Sequence, residues 1–212
     1  MAFFGHDSKR IKNKRVLDCP SGVSSFVAEA KKQGVNVKGC DIIYQFHKEA
    51  IVERGEESIE IIYKDTINSQ EFDYSFYGSL AGHKKHRKRA LKKFGGDFNA
   101  HDYSFQTLPK LSYKDDNFDI VLSSHLLFVY DDRFDYSFHE NSIKEMLRVG
   151  KEVRLFPLVD YLNSHEGEEQ NFSPFVYKIQ EKFGGEIIKV DFEFQKGANY
   201  MMVIQRGDNG AS

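Results

Sequence analysis

Apolar and polar positions along the chain switch between a period of two and a period near 3.6, and the switches mark a series of strand and helix units. Residues 15–17 open a short apolar run that Asp18 ends. Cys19-Pro20-Ser21-Gly22 follows with turn chemistry: Pro fixes φ, and Gly lets the backbone approach a ligand or take a positive φ. Val23, Phe26, Val27 and Ala30 then recur at helical spacing. They predict a helix that begins near residues 23–25, packs one face on a sheet and closes at Gly34. Val35, Val37 and Cys40 carry a second strand, which delivers Asp41 at its carboxyl end. Strand, tight turn, helix and strand together make a βαβ half.

Further on, a helix is predicted over residues 45–54, stopped by Gly55, and a third strand over 59–63, ended by Lys64-Asp65. From 66 to 100 the pattern blurs for longer than a simple crossover needs. This marks an insertion of the kind in which specificity resides. A fourth strand, 119–124, runs into His125-Leu126-Leu127-Phe128. Residues 136–149 read as a helix with Ile143, Met146 and Leu147 on one face and Gly150 as its stop, and 152–158 as a fifth strand. The polar, acidic stretch 160–172 lies beyond that strand as a loop. Ser173-Pro174 is the expected N-cap and first turn of a last helix, carried by Phe175, Val176, Ile179 and Phe183 and ended by Gly184-Gly185. Two β-rich runs, 187–194 and 200–205, are too close for a helical crossover, so they pair antiparallel. The expected fold is α/β, Rossmann-like and doubly wound. Its mostly parallel sheet ends in an antiparallel C-terminal hairpin, and residues 1–212 form a single domain with an insertion at about 66–100.

Composition narrows the setting. A net charge of −2 with 29% charged residues predicts a soluble protein without a global pull toward nucleic acid. No apolar run approaches the roughly 20 residues of a membrane span, and the first fifteen residues lack a signal-peptide apolar core. A cytoplasmic protein without a membrane partner is expected. Cys19 and Cys40 end adjacent strands and should lie close together, as small buried thiols rather than a disulfide framework.

The chemistry gathers at the strand ends. Ligands of open α/β sheets sit beyond the carboxyl ends of the strands. There Asp41 is placed to accept hydrogen bonds from both hydroxyls of a ribose. The start of the first helix offers free N–H groups to an anionic ligand group.

LDCPSG at 17–22 stands where class I S-adenosylmethionine-dependent methyltransferases have a hydrophobic strand, an acid and a glycine-rich turn. GCDII at 39–43 stands where their second-strand acid is expected. LPKLSYKDDNFDIVLSSHLLF at 108–128 is similar to their later stretch, in which a Leu-Pro pair, a polar turn and Phe-Asp lead into the fourth strand. RVGKEVRLFPLVD at 148–160 stands as their fifth strand after its helix. By these motifs the chain resembles that superfamily over essentially its whole length, and with it a class I methyltransferase fold. It departs in keeping only Gly22 of the usual glycines, with Pro20 and Ser24 at two of the others. Ser104 falls where an acid near the adenine amino group is common.

The resemblance implies S-adenosylmethionine as cofactor and a methyl acceptor, expected to be a small molecule. It implies that Asp18, Cys19, Ser21 and Gly22 hold the amino-acid end of the cofactor. Asp41 would hold the ribose, Ile42 would pack on the adenine, and Ser104, Phe105 and Gln106 would lie on the adenine side. His125 and Tyr130 fall at the rim where the methyl group is presented and are the catalytic candidates. Methyl transfer to a good nucleophile needs alignment and desolvation more than a base, so His125 is expected to position. His139 shares the helix face of Ile143 and is expected to be a satisfied core histidine.

The most basic segment, 83–94, has Leu80, Leu91 and Phe94 on one helical face and Lys and Arg on the other. A solvated face is the ordinary meaning, and a phosphate or RNA contact is the sharper one, not favoured here. His83 and His86 lack a third ligand, so no metal site is expected. Two other functions fit less well. A nicotinamide-dependent oxidoreductase calls for a three-glycine turn, against Ser24-Ser25 here. A non-catalytic binding protein on this fold would grip RNA through 83–94. Oligomeric state is not legible.

Overall fold

The computed structural model describes residues 11–65, 72–159 and 172–207. In chain order the elements are β1 (Arg15–Asp18), α1 (Phe26–Lys32), β2 (Asn36–Asp41), α2 (Lys48–Asp65), α3 (Leu80–Asp97) and β3 (Tyr103–Phe105). Then come β4 (Phe118–Ser124), α4 (Tyr136–Val149), β5 (Gly150–Phe156), α5 (Val176–Phe183), β6 (Glu186–Lys189) and β7 (Tyr200–Gln205). The strands form one sheet in the order β3-β2-β1-β4-β5-β7-β6. Strands β1 to β5 run parallel, and β7 lies antiparallel between β5 and β6. This is the class I methyltransferase-like arrangement expected from the sequence. An all-parallel dinucleotide-binding sheet has no such inserted strand.

Both faces of the central strands are covered, which is why they read as continuous apolar runs. Successive side chains alternate between faces. Val16, Ile120 and Leu122 therefore pack with Val27, Leu91 and Phe94 on one side. Leu17, Val121 and Val153 pack with Ile143, Met146 and Ile179 on the other. Among the described residues no helix is long and apolar enough to cross a membrane.

The largest correction concerns residues 45–63. The helix expected to stop at Gly55 and the strand expected at 59–63 are a single helix, α2. The β-branched run Ile59-Glu60-Ile61-Ile62-Tyr63 has local strand character. Yet Ile51, Gly55 and Ile59 are four residues apart, and Ile51 and Ile59 are buried. Gly55 is a contact rather than a stop: a Cβ there would lie 2.8 Å from Cδ1 of Leu91, so its absence lets α3 come close. The third strand is instead β3, and the crossover from β2 to β3 carries two helices. Of the expected insertion, residues 66–71 lie outside the described residues, and most of the rest is α3.

Smaller differences have local causes. Helix α1 starts at Phe26, with Val23 still in the turn, and has only seven residues. At under two turns, the dipole argument for an anion at its start loses force. Gly150 begins β5 instead of only ending α4, because a Cβ there would sit 2.6 Å from Cγ2 of Val121 on β4. Strand β5 consequently runs two residues earlier than expected. The cap of α5 is Phe175, and Ser173 Oγ accepts from the Phe175 N–H at 3.2 Å one step earlier. Gly184 ends α5 in the left-handed conformation, as expected. Strand β6 stops at Lys189 rather than reaching 194. Of the loop 160–172, residues 160–171 lie outside the described residues.

Candidate active site

The turn after β1 is built from hydrogen bonds between strand ends. Asp18, 4% exposed, accepts from Ser21 Oγ at 2.7 Å. Burial pushes its carboxyl up to about 7 even against that donor. The Ser21 N–H donates to the Cys40 carbonyl at 2.9 Å, fastening the turn to β2. Gly39 makes this fit, since a Cβ there would lie 2.9 Å from Ser21 Oγ.

Gly22 takes φ +54°, a conformation that suits glycine. Its N–H donates to Asp41 Oδ2 at 2.8 Å, and its carbonyl accepts from the Tyr44 hydroxyl at 2.6 Å. Asp41 Oδ1 accepts from the Ile43 N–H at 3.0 Å. Burial raises the Asp41 carboxyl, and these backbone donors oppose the shift. Each carboxylate oxygen retains acceptor capacity for a hydroxyl. A Cβ on Gly22 would meet nothing within 4 Å, so the space before the turn is open to a ligand.

Two large apolar side chains are exposed around Asp41: Ile42 at 53% and Phe105 at 50%. Phe105 is the register partner of Asp41 on β3. Its neighbours are used internally. Ser104 Oγ lies 2.5 Å from the Tyr113 hydroxyl, and the Gln106 amide exchanges two hydrogen bonds with Ser112. Ser104 and Gln106 thus hold the 106–113 segment, while Phe105 faces outward. Cys19 and Cys40 are adjacent buried free thiols, and their mutual contact and burial push the Cys40 thiol up. The Cys19 side chain belongs to the core beneath the turn.

His125 follows β4, and β4 lies beside β1, so it shares the rim with the Asp18 turn. It takes φ +57° and Phe128 takes φ +68°. Two non-glycine residues in the left-handed region so close together indicate a constrained loop. The His125 N–H donates to the Phe156 carbonyl at 2.8 Å, and its ring meets Phe156 edge-on at 5.7 Å. Burial, with the Arg87 charge adding to it, pushes the imidazole down to about 4. A neutral ring of such low basicity positions better than it takes protons. Tyr130 lies further along the loop, with the Arg133 guanidinium 5.1 Å from its ring centre. His139 is a core residue as expected. Its Nε2 accepts from the Phe128 N–H at 3.0 Å and its Nδ1 donates to the Asp135 carbonyl at 2.8 Å. It therefore braces the loop that carries His125.

Sequence reasoning missed Tyr44 and an aromatic wall beside His125. From His125 the wall passes through Phe156 to Phe192, at ring separations of 5.7 and 6.3 Å. It continues to Tyr77, 6.4 Å from Phe192 and 4.5 Å from His83 on α3. His83 Nδ1 lies 2.6 Å from the Tyr63 hydroxyl, and burial pushes this ring down to about 4. The wall draws on α2, the turn before α3, α3 itself and the segment before β7. The signal that could have found it is the density of rings in Phe72, Tyr74, Phe76 and Tyr77.

No protein-family model matches the chain. A search of curated proteins finds similarity to the uncharacterized protein MJ0045 of Methanocaldococcus jannaschii, 35% identical over 198 residues that cover 92% of this chain and 86% of the relative. Among solved structures, the PH0226 protein of Pyrococcus horikoshii is 18% identical, with 91% of this chain and 81% of that chain covered and a TM-score of 0.47. The magnesium protoporphyrin IX methyltransferase of Synechocystis PCC 6803, with bound SAH, is 14% identical, covering 92% of this chain and 74% of that chain at a TM-score of 0.48. By its identity to MJ0045 over nearly the whole length of both, and by its strand order, the chain belongs to the MJ0045 family and has a class I methyltransferase-like fold.

Proposed function

We propose that this chain is an S-adenosylmethionine-dependent methyltransferase, a single domain over residues 1–212, acting on a small-molecule acceptor. The observation that carries the reading is the joint between Gly22 and Asp41, where an open turn and a strand-end carboxylate meet. In this reading Asp41 accepts from the ribose hydroxyls, and Ile42 and Phe105 sandwich the adenine between exposed apolar surfaces. The Asp18 carboxylate receives the ammonium of the amino-acid end, which favours the ionised form of Asp18, and the Ser21–Gly22 turn shapes the space beside it.

When bound, the cofactor would be held by Asp41, Ile42, Phe105 and the Asp18 turn, and it would supply an activated sulfonium methyl for transfer to a nucleophilic acceptor. The chain's own work is alignment and exclusion of water. His125, held by strained backbone and by Phe156, fixes one wall of the acceptor space, and Tyr130 lies on the same loop. Helix α3 and the turn before it cover the other side.

Thermal unfolding with and without ligand tests this. S-adenosylmethionine and its demethylated product should raise the Tm by mass action, and NADH should not. A shift with NADH alone would replace the reading with the oxidoreductase one.

A further inference from the structure

The loop between β4 and α4, which carries His125 and Tyr130, is fastened at a buried junction. Asp131 follows Tyr130 with its side chain 6% exposed, and the His139 side chain beside it is fully buried. Asp131 Oδ1 stands 3.0 Å from His139 Nε2. Its other oxygen, Oδ2, accepts a short hydrogen bond from the Ser173 hydroxyl. Ser173 in turn donates its N–H to the Leu158 carbonyl at 2.9 Å, beyond the end of β5. One carboxyl thus joins the loop to α4 and to the segment that leads into α5.

The junction needs a hydrogen that its neighbours do not supply. The Asp135 carbonyl, 2.8 Å from His139 Nδ1, can only accept, so Nδ1 carries a hydrogen. The Phe128 N–H, 3.0 Å from Nε2, can only donate, so Nε2 presents its lone pair. Among the described residues no N–H or O–H then reaches Asp131 Oδ1. Two lone pairs facing each other at 3.0 Å in a buried site are unfavourable, and the contact is attractive only with a hydrogen between Oδ1 and Nε2. The rings of Phe128, Phe138 and Phe175 lie around the imidazole. The nearby carboxylates are engaged elsewhere: Asp135 accepts from the Phe138 N–H at 2.8 Å, and Asp132 pairs with Arg133 at 3.5 Å.

We propose that Asp131 is a positioning residue for this loop, its Oδ1 sharing a hydrogen with His139 Nε2 and its Oδ2 held by Ser173. The junction supports Phe128 at φ +68° and, through it, His125 at φ +57°, two backbone conformations that persist only where the surroundings impose them. That the loop lines the space of a methyl acceptor rests on the methyltransferase reading. The junction itself stands on the distances and the burial. In Asp131→Asn the amide would donate to Nε2 and accept from Ser173, replacing the carboxyl and its shared hydrogen. Asp131→Ala removes both contacts.

NMR of the full chain without ligand tests this. Besides the Phe128 amide, the wild type should show a proton at each His139 ring nitrogen, that at Nε2 being absent in Asp131→Ala. In Asp131→Ala the Phe128 amide should exchange with solvent at least about tenfold faster. The His125 ring, which meets Phe156 edge-on, should lose its ring-current shift in the same variant. Asp131→Asn should keep both properties near the wild type. A single His139 ring proton in the wild type, or an Asp131→Asn variant that loosens the loop as much as Asp131→Ala, overturns the shared hydrogen. An unchanged His125 resonance in Asp131→Ala overturns the positioning role. Should Asp131→Ala fail to fold, the wild-type spectrum and Asp131→Asn still decide the shared hydrogen, and His139→Gln, read at the His125 ring, decides the positioning role. Calorimetric failure of the wild type to bind S-adenosylhomocysteine would count against the methyltransferase reading alone, since the loop is measured without it.

Discussion

Gly22, in the turn after β1, and Asp41, at the end of β2, are joined by a 2.8 Å hydrogen bond from the glycine N–H to carboxylate Oδ2. The bond makes the turn and the proposed ribose carboxylate one unit, so damage to either is felt by both. Gly22→Ala should destabilise the fold by about 1 kcal/mol, the penalty of a side chain at positive φ. Because the new methyl projects into the open space before the turn, the loss of S-adenosylmethionine affinity should be larger than the loss of stability. Calorimetry and thermal unfolding on one variant compare the two.

Asp18 sets a pH dependence. Its folded value of about 7 exceeds the unfolded 3.8, so the folded state holds a proton that the unfolded state has released. Stability therefore falls as pH rises from about 4 to about 7 and levels off above that, by up to about 4 kcal/mol at the limit. Asp18→Asn should raise the Tm at pH 8 and change it little at pH 4, while weakening cofactor binding. A lower Tm for Asp18→Asn at pH 8 would disprove the assignment.

The same group links cofactor binding to protons. An ammonium beside Asp18 favours the carboxylate, so binding below pH 7 must expel a proton. Affinity should fall from pH 8 to pH 6, and the calorimetric enthalpy at pH 6 should vary with the ionisation enthalpy of the buffer. A buffer-independent enthalpy at pH 6 would place the ammonium elsewhere.

His125 is expected to position rather than to take a proton. With its imidazole near 4, kcat/KM should show no inflection from this ring between pH 6 and pH 8. His125→Asn tolerates the left-handed backbone and should lower kcat without introducing a new pH step. A wild-type inflection near 6.5 that disappears in this variant would make His125 a base.

Gly55 tests the helix contact that sequence reading mistook for a stop. Gly55→Leu should destabilise the fold by about 1 to 3 kcal/mol, because Leu91 is buried and fills the space the new side chain needs. Chemical denaturation measures this directly. An unchanged midpoint would mean that α2 and α3 are not held together at this point.

What could be read from the sequence was local. The strand–turn–helix–strand at 15–41 was legible because Gly22, Gly34 and the spacing of Phe26, Val27 and Ala30 act within one turn or one helix face. The C-terminal hairpin was legible because the short link excludes a crossover. Residues 59–63 misled because β-branched propensity is a property of neighbours, whereas the pairing of Gly55 with Leu91 joins residues far apart in the chain. The run of aromatic contacts from His125 through Phe156 and Phe192 to Tyr77 was illegible for the same reason. Asp41 could be named from its strand end, but the proton on Asp18 depends on burial that no motif records.

The central claim is that the Gly22–Asp41 joint binds S-adenosylmethionine, and the most direct measurement is calorimetric titration of wild type and Asp41→Ala. Saturable binding of the cofactor and its demethylated product to the wild type, lost in a folded Asp41→Ala, is the predicted result. No binding to the wild type, or equal binding to the variant, would contradict it.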